Sequence, residues 1–265
     1  MNVMPPNHAF QPTSLPPLRA VRAAAEGERY AAQRDFSMTN ANKISRLAGA
    51  LYLVVVVTGL FSLMYVPSQI TVAGDSYATV NNIVAHGPLF RAGIAAFLVE
   101  QVAFLLLPLV LFKLLRPVHQ GIAALMVALA VVSVPIALVS LVNRLDALDI
   151  LSGSYSQGLA PGQLQSQVML SLDAYGNGLL VTTLFWGLWL LPFGYLVIRS
   201  GFLPKVLGVF LVLGGLGYVV QVLWEILAPN TSFPDFVLLP AAVGEIGICL
   251  WLLVVGVCKH RPSAA

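Results

Sequence analysis

A chain of 265 residues that is 58% hydrophobic and 9% charged has too little polar surface to cover a water-soluble globule. Soluble domains carry about 25% charged residues, so a bilayer must act as solvent for the apolar remainder. The formal charge of +3 is no nucleic-acid signature, because no basic stripe interleaved with aromatics occurs outside the flanks of the apolar runs. Membrane lipids are the expected partners, with anionic headgroups as counter-charge, and no nucleic acid is expected.

Residues 1–37 differ from everything after them. Pro5, Pro6, Pro12, Pro16 and Pro17 are followed by an Ala/Arg/Glu stretch through Ala32, without hydrophobic periodicity. Such a segment cannot bury enough apolar surface to offset chain entropy, so disorder is expected over 1–42. No continuous apolar core lies near the start, which excludes a secretory signal. Met38-Thr39-Asn40-Ala41-Asn42-Lys43 has the form of a short cytoplasmic leader before a first span, and we expect Met38 to be the true translation start.

Six apolar stretches follow, at 47–66, 91–112, 120–142, 168–198, 205–228 and 236–257. Each reaches the roughly 20 residues that a helix needs to cross a hydrocarbon core about 30 Å thick. The expected fold is all-α, a six-span bundle over 43–258 with a short tail over 259–265. In the first connection, 67–90, Gly74-Asp75-Ser76 offers an N-cap, Val80, Ile83 and Val84 fall near one face, and Gly87-Pro88 ends the run. A short interfacial helix over 76–85 is expected there. A second large connection is expected over 143–166, beginning at Asn143-Arg144. The loop from Arg199 to Lys205 is short, with Gly201 ending one helix and Pro204 starting the next.

Pro108, Pro135 and Pro192 lie inside spans, where kinks are tolerated because neighbours re-satisfy the freed carbonyls. Gly208, Gly214, Gly215 and Gly217 in the fifth span allow close backbone approach, which makes that helix central to the bundle. Cys249 and Cys258 are about 13 Å apart on one helix, too far to bridge, and both read as buried small hydrophobes.

The basic residues sort by side. With the N-terminus in the cytoplasm, twelve of the fourteen lysines and arginines fall inside and only Arg91 and Arg144 fall outside, as the positive-inside rule requires of an N-in/C-in protein.

An ionised side chain at mid-bilayer costs about 2.5–3.5 kcal/mol on insertion scales, so each one needs a partner, water or a proton. Counting rise per residue, Glu100 and Glu245 lie about 13 Å below the outer surface. Asp173, Glu225, Arg91 and Arg144 lie nearer to it. Asp173 and Asn177 share a helix face, as do Gln221 and Glu225. These faces are expected to point into the bundle, forming a polar cavity in its outer half lined by Arg91, Glu100, Arg144, Asp173, Asn177, Gln221, Glu225 and Glu245. The competing reading makes Arg91 and Arg144 interhelical glue, paired with Asp173 and Glu225 at the headgroup level.

Several chemistries lack their residues. His8, His86, His119 and His260 all fall in tails or loops, so no paired intramembrane haem ligands exist. There is no HExxH, GxSxG or phosphate-binding loop. No cofactor, metal site or catalytic residue is expected, and the reading leans away from an enzyme.

Several strings together resemble a family of bacterial integral membrane proteins, domain of unknown function 4386. The longest runs Gly194-Tyr195-Leu196-Val197-Ile198-Arg199-Ser200-Gly201-Phe202-Leu203-Pro204-Lys205-Val206-Leu207-Gly208 and resembles that family's loop between its fourth and fifth spans. Asp173-Ala174-Tyr175-Gly176, Arg46-Leu47-Ala48-Gly49-Ala50-Leu51-Tyr52-Leu53 and Leu89-Phe90-Arg91-Ala92-Gly93-Ile94 resemble other segments of it. The family often has a histidine where this chain has Ala174, which weakens a shared Asp–His site. The resemblance covers about 43–228 and implies a bacterial inner-membrane protein, with no activity or substrate attached. From the residues, a transporter or binding protein for a small solute or proton is expected first. A non-catalytic scaffold or sensor whose outer loops engage a partner is the alternative, and a lipid-acting enzyme ranks last. A cavity connecting Glu100 and Glu245 to outer water would favour the first; a bundle packed solid there, with ion pairs closed at its rim, would favour the second.

Overall fold

The computed structural model of the chain describes residues 40–153 and 160–257. The expectations for the N-terminal extension, for Tyr155 and for Cys258 lie outside the described residues.

Among the described residues the chain is helical, without strands: α1 Asn40–Ile70, α2 Ser76–Ala85, α3 Gly87–Leu115, α4 Gln120–Leu151, α5 Pro161–Ser200, α6 Lys205–Leu227 and α7 Asp235–Val255. All but α2 are long and apolar enough to cross a bilayer. Their outer faces carry Leu98, Val102 and Leu109 on α3, Val132 and Val139 on α4, and Leu213, Leu216 and Val220 on α6. An outward apolar surface is what lipid solvates and water does not, so this is a multi-pass membrane protein.

The helices outrun the apolar runs. The connection expected over 143–166 is mostly helix: α4 continues through Asn143-Arg144 to Leu151, and α5 begins at Pro161. Hydropathy falls there because the helices turn amphipathic, not because they end. Asp146 and Asp149 are exposed while Leu141, Ala147 and Leu148 stay buried, the helical spacing of a one-sided core. The 40 residues of α5 span about 60 Å, twice a hydrocarbon core. Its first turns therefore project beyond the lipid tails.

Over that projection lies α2. The Asp75 side chain caps it, accepting from the Ala78 backbone N–H at 2.8 Å, as the sequence implies. The Asn82 side-chain amide donates to the Ile70 carbonyl at 3.1 Å, tying α2 to the end of α1. Val80 and Ile83 pack into a core shared with Phe90, Phe97, Leu141, Leu148 and Val168.

Backbone approaches fix the register of the bundle. A Cβ on Gly208 would stand 2.8 Å from the Gly194 carbonyl oxygen, and one on Gly187 would stand 2.8 Å from that of Gly215. Those pairs run α5 antiparallel to α6. Gly214 lies against Ala241 and Gly244 against Leu211, which does the same for α6 and α7. Ser45 donates to the Leu252 carbonyl at 3.2 Å, and Gly49 abuts Leu253, seating α7 on α1. Val66 against Gly93 and Gly59 near Glu100 place α1 against α3. Ser140 against Gly178 seats α4 on α5. In consequence Lys43, Arg46, Lys113, Arg116, Arg199 and Lys205 gather at one end of the bundle and α2 lies at the other.

A second core fills the basic half. There Trp189 stacks on Phe193 (centroids 5.2 Å) and meets Phe104 edge-on at 5.2 Å. Gly201 ends α5 with φ 71°, a left-handed position that glycine adopts without strain, and Pro204 precedes α6. Two π-helical turns, Leu60–Tyr65 in α1 and Trp251–Val255 in α7, have no counterpart in the hydropathy pattern.

Candidate functional site

The bundle is not solid at its centre. A cavity of about 570 Å³ lies among α1, α3, α5, α6 and α7. On α1, Tyr52, Val56, Gly59 and Leu63 present one helix face to it; α3 contributes Glu100 and Phe104. Thr183, Trp186 and Trp189 come from α5, Tyr218 and Gln221 from α6, and Asp235, Leu238 and Glu245 from α7. The exposed Asp235 marks its end nearer α2.

Glu245 sits about 15 Å from either end of α7, at mid-span. Two phenols hold it: the Tyr52 hydroxyl donates to Oε2 at 3.0 Å and the Tyr218 hydroxyl to Oε1 at 3.3 Å. Tyr52 is itself fixed by burial, its ring 6.3 Å from that of Trp189. Glu100 lies near the middle of α3 and is only 5% exposed. Its Oε2 accepts from the Ser62 hydroxyl at 3.2 Å. A Cβ on Gly59 would come within 3.5 Å of the Glu100 carboxyl group, so the glycine leaves that carboxyl its space. No lysine, arginine or histidine lines the cavity. Among the described residues no cluster of three or more His, Cys, Asp or Glu side chains could hold a metal ion.

Of the eight side chains that the sequence assigns to a common cavity, the structure brings Glu100, Gln221 and Glu245 to one wall. The other five lie elsewhere. Asp173 and Asn177 are exposed on α5, contrary to the inward faces expected for them. Tyr175 is the residue turned inward there, and two residues along a helix is more than half a turn, so Asp173 faces away. Lipid does not penalise this, because Asp173 lies about 39 Å along α5 from Arg199, beyond a 30 Å hydrocarbon core. Glu225 is exposed too, accepting from the Gln221 amide at 2.8 Å. It stands about 30 Å from Lys205, at the opposite interface.

The ion pairs of the competing reading are likewise not formed among the described residues. Arg144, 7% exposed, lays its guanidinium over the Tyr175 ring at 4.2 Å and 5.4 Å from the Phe90 centroid. Among the described residues its Nε and Nη1 have no hydrogen-bond partner. Arg91 is exposed and borders a separate cleft of about 150 Å³ beneath α2, with Ile83 and Leu148. The aromatic rings took the place assigned to the carboxylates.

Sequence reading missed Tyr52, Ser62, Tyr218, Trp186 and Asp235. A signal existed for the first two: Tyr52, Gly59 and Ser62 are small or polar positions near one face of a largely apolar span. Nothing in the spans links that face to Glu100 or Glu245, which lie 38 and 193 residues away.

A family model described as domain of unknown function (DUF4386) matches residues 47–256. The chain belongs to that family. No curated protein and no solved structure matches it. The DUF4386 match takes in the first span from residue 47, the other five whole, and every side chain lining the cavity, from Tyr52 to Ile246. In this DUF4386 protein the cavity is thus a feature of the matched domain rather than of a segment added to it.

Proposed function

We propose that this DUF4386 protein is a small-solute binding protein or transporter whose ligand occupies the cavity between α1, α3, α5, α6 and α7. One observation carries the reading: two carboxylates near mid-span, Glu100 and Glu245, face a common space of about 570 Å³ with no basic side chain on its walls. Ligand pockets are commonly 300–1,000 Å³ and mostly apolar, with a few placed polar groups. An intramembrane carboxylate calls for a cation, water or a proton, and a cavity admits all three. A scaffold would gain nothing by placing two acids on the walls of one cavity, and the rim pairs that would support that reading are not formed among the described residues. With the basic end in the cytoplasm, as the charge sorting expects, the Asp235 end of the cavity lies on the opposite side. The carboxylates are also the groups through which a proton could be exchanged during turnover. A bacterial inner membrane is the proposed location.

Water access is the test. In a background with Cys249 and Cys258 replaced by alanine, Val56→Cys and Val57→Cys place adjacent thiols on α1. Val56 lines the cavity, whereas Val57 is 57% exposed on the outer surface of the helix. A membrane-impermeant thiol reagent should label position 56 from one side of sealed vesicles and leave position 57 unlabelled. Equal, negligible labelling of both would refute a water-reachable cavity.

A further inference from the structure

We infer that the solute is an organic cation with an apolar or aromatic body, a class assignment that rests on the cavity being a ligand site. Three features of the cavity converge on it. The first is charge: all the ionisable side chains on the walls are acids or phenols, Glu100, Glu245, Asp235, Tyr52 and Tyr218. An anionic ligand would meet carboxylates without a compensating cation, and like charges in a low-dielectric site repel strongly.

The second is acceptor capacity. Glu100 is only 5% exposed, and the Ser62 hydroxyl that donates to it at 3.2 Å engages Oε2, leaving Oε1 for the cavity side. A carboxylate accepts about four hydrogen bonds when fully satisfied. Glu245 has two donors, both phenols, which orient it without neutralising it. The wall thus holds two oriented carboxylates whose remaining acceptor capacity suits positive charge or N–H donors.

The third is the rest of the wall. Tyr52, Phe104, Trp186, Trp189 and Tyr218 surround the acids with five aromatic rings. Ring faces attract cations, tryptophan most strongly, and more so where water is excluded. A bare metal ion would leave these rings without a role and needs about six oxygen ligands, while the described residues hold no cluster of three acids. An ammonium group between the carboxylates with its hydrocarbon against the rings uses every feature. The direction of entry follows: the exposed Asp235 lies ten positions before Glu245 on α7, an acidic step between solvent and the deeper pair.

The experiment uses the full chain in nanodiscs of phosphatidylcholine, a lipid without net charge, titrated with three water-soluble probes that share a benzyl group. These are benzyltriethylammonium, phenylmethanesulfonate and benzyl alcohol, with binding read calorimetrically and by quenching of tryptophan fluorescence. Benzyltriethylammonium should bind saturably and at least tenfold more tightly than either of the others. Glu100→Gln and Glu245→Gln should each weaken it at least tenfold, and Trp186→Leu several-fold. A sulfonate or alcohol that binds as tightly as the cation overturns the assignment, as do glutamine variants that bind the cation like the parent. The probe selectivity of the unmodified protein is decisive even if a variant fails to fold. If none of the probes binds, the class assignment falls. Labelling at position 56 then decides separately whether the cavity reading falls with it.

Discussion

Replacing Gly208 and Gly176 by alanine, one at a time, tests whether backbone approach holds α5 to α6. At Gly208 the added methyl would lie 2.7 Å from the Ile198 side chain, 2.8 Å from the Gly194 carbonyl oxygen and 3.0 Å from the Ile198 backbone nitrogen. Ordinary contact begins near 3.4 Å, so the helices must part by about 0.6 Å, a gap that forfeits a quarter to a half of each dispersion well it opens. A side chain could rotate aside, but two of the three obstacles are backbone. Overpacking at so rigid a place costs about 3 kcal/mol, the upper end of the usual range. Alanine returns about 1 kcal/mol of helix propensity, leaving a net loss of about 2 kcal/mol. At Gly176, on α5, nothing lies within 4 Å of the new methyl, and only the propensity gain of about 1 kcal/mol remains. The two variants should therefore differ by about 3 kcal/mol, roughly a hundredfold in the unfolding equilibrium at 1.4 kcal/mol per decade. Reversible denaturant unfolding in mixed micelles measures this. Two variants within 0.5 kcal/mol of each other, about the error of such comparisons, would show that the α5–α6 contact is plastic and its glycines incidental.

The phenols on Glu245 should act as a unit. Tyr52→Phe and Tyr218→Phe each remove one hydroxyl while keeping the ring, and each should lower stability by about 1 kcal/mol. The double variant should lose more than their sum, because Glu245 then has no donor among the described residues; strict additivity in the double-mutant cycle would argue against a shared acceptor. Asp173→Asn and Glu225→Gln alter exposed side chains at the ends of the span, so each should change stability by less than about 0.5 kcal/mol and leave benzyltriethylammonium binding unaffected. A tenfold loss of binding in either variant would place a carboxylate in the site that the geometry puts outside it.

The sequence specified the spans, the cap on α2 and the loop at Gly201 because each rests on local chemistry: apolar length, an aspartate before a helix, a glycine where the backbone turns left-handed. The site was half legible for a different reason. Glu100 and Glu245 stand out because an acid in the middle of an apolar run has few harmless explanations. Which groups answer them is a property of packing between distant segments, and the pairing of Tyr52 with Glu245 spans 193 positions. The π-turns were invisible too, since a single turn of wider helix leaves the composition of a span unchanged.

The misplaced residues follow one rule. Asp173, Asn177 and Glu225 were drawn inward on the premise that any polar group in a predicted span must avoid lipid, and that premise fails where a helix is longer than the membrane is thick. With 40 residues in α5, position along the helix decides before orientation does. Within the hydrocarbon slab a carboxylate must face the interior; past its edge the same group faces water at no penalty. Arg144 shows the converse. It lies near that edge and yet is buried, because Tyr175 and Phe90 give its guanidinium flat apolar surfaces that an ammonium could not use equally well. Depth and ring contacts thus separate the acids that face lipid-depth space, Glu100 and Glu245, from the charges that merely border the bundle, and leave the cavity electronegative rather than mixed.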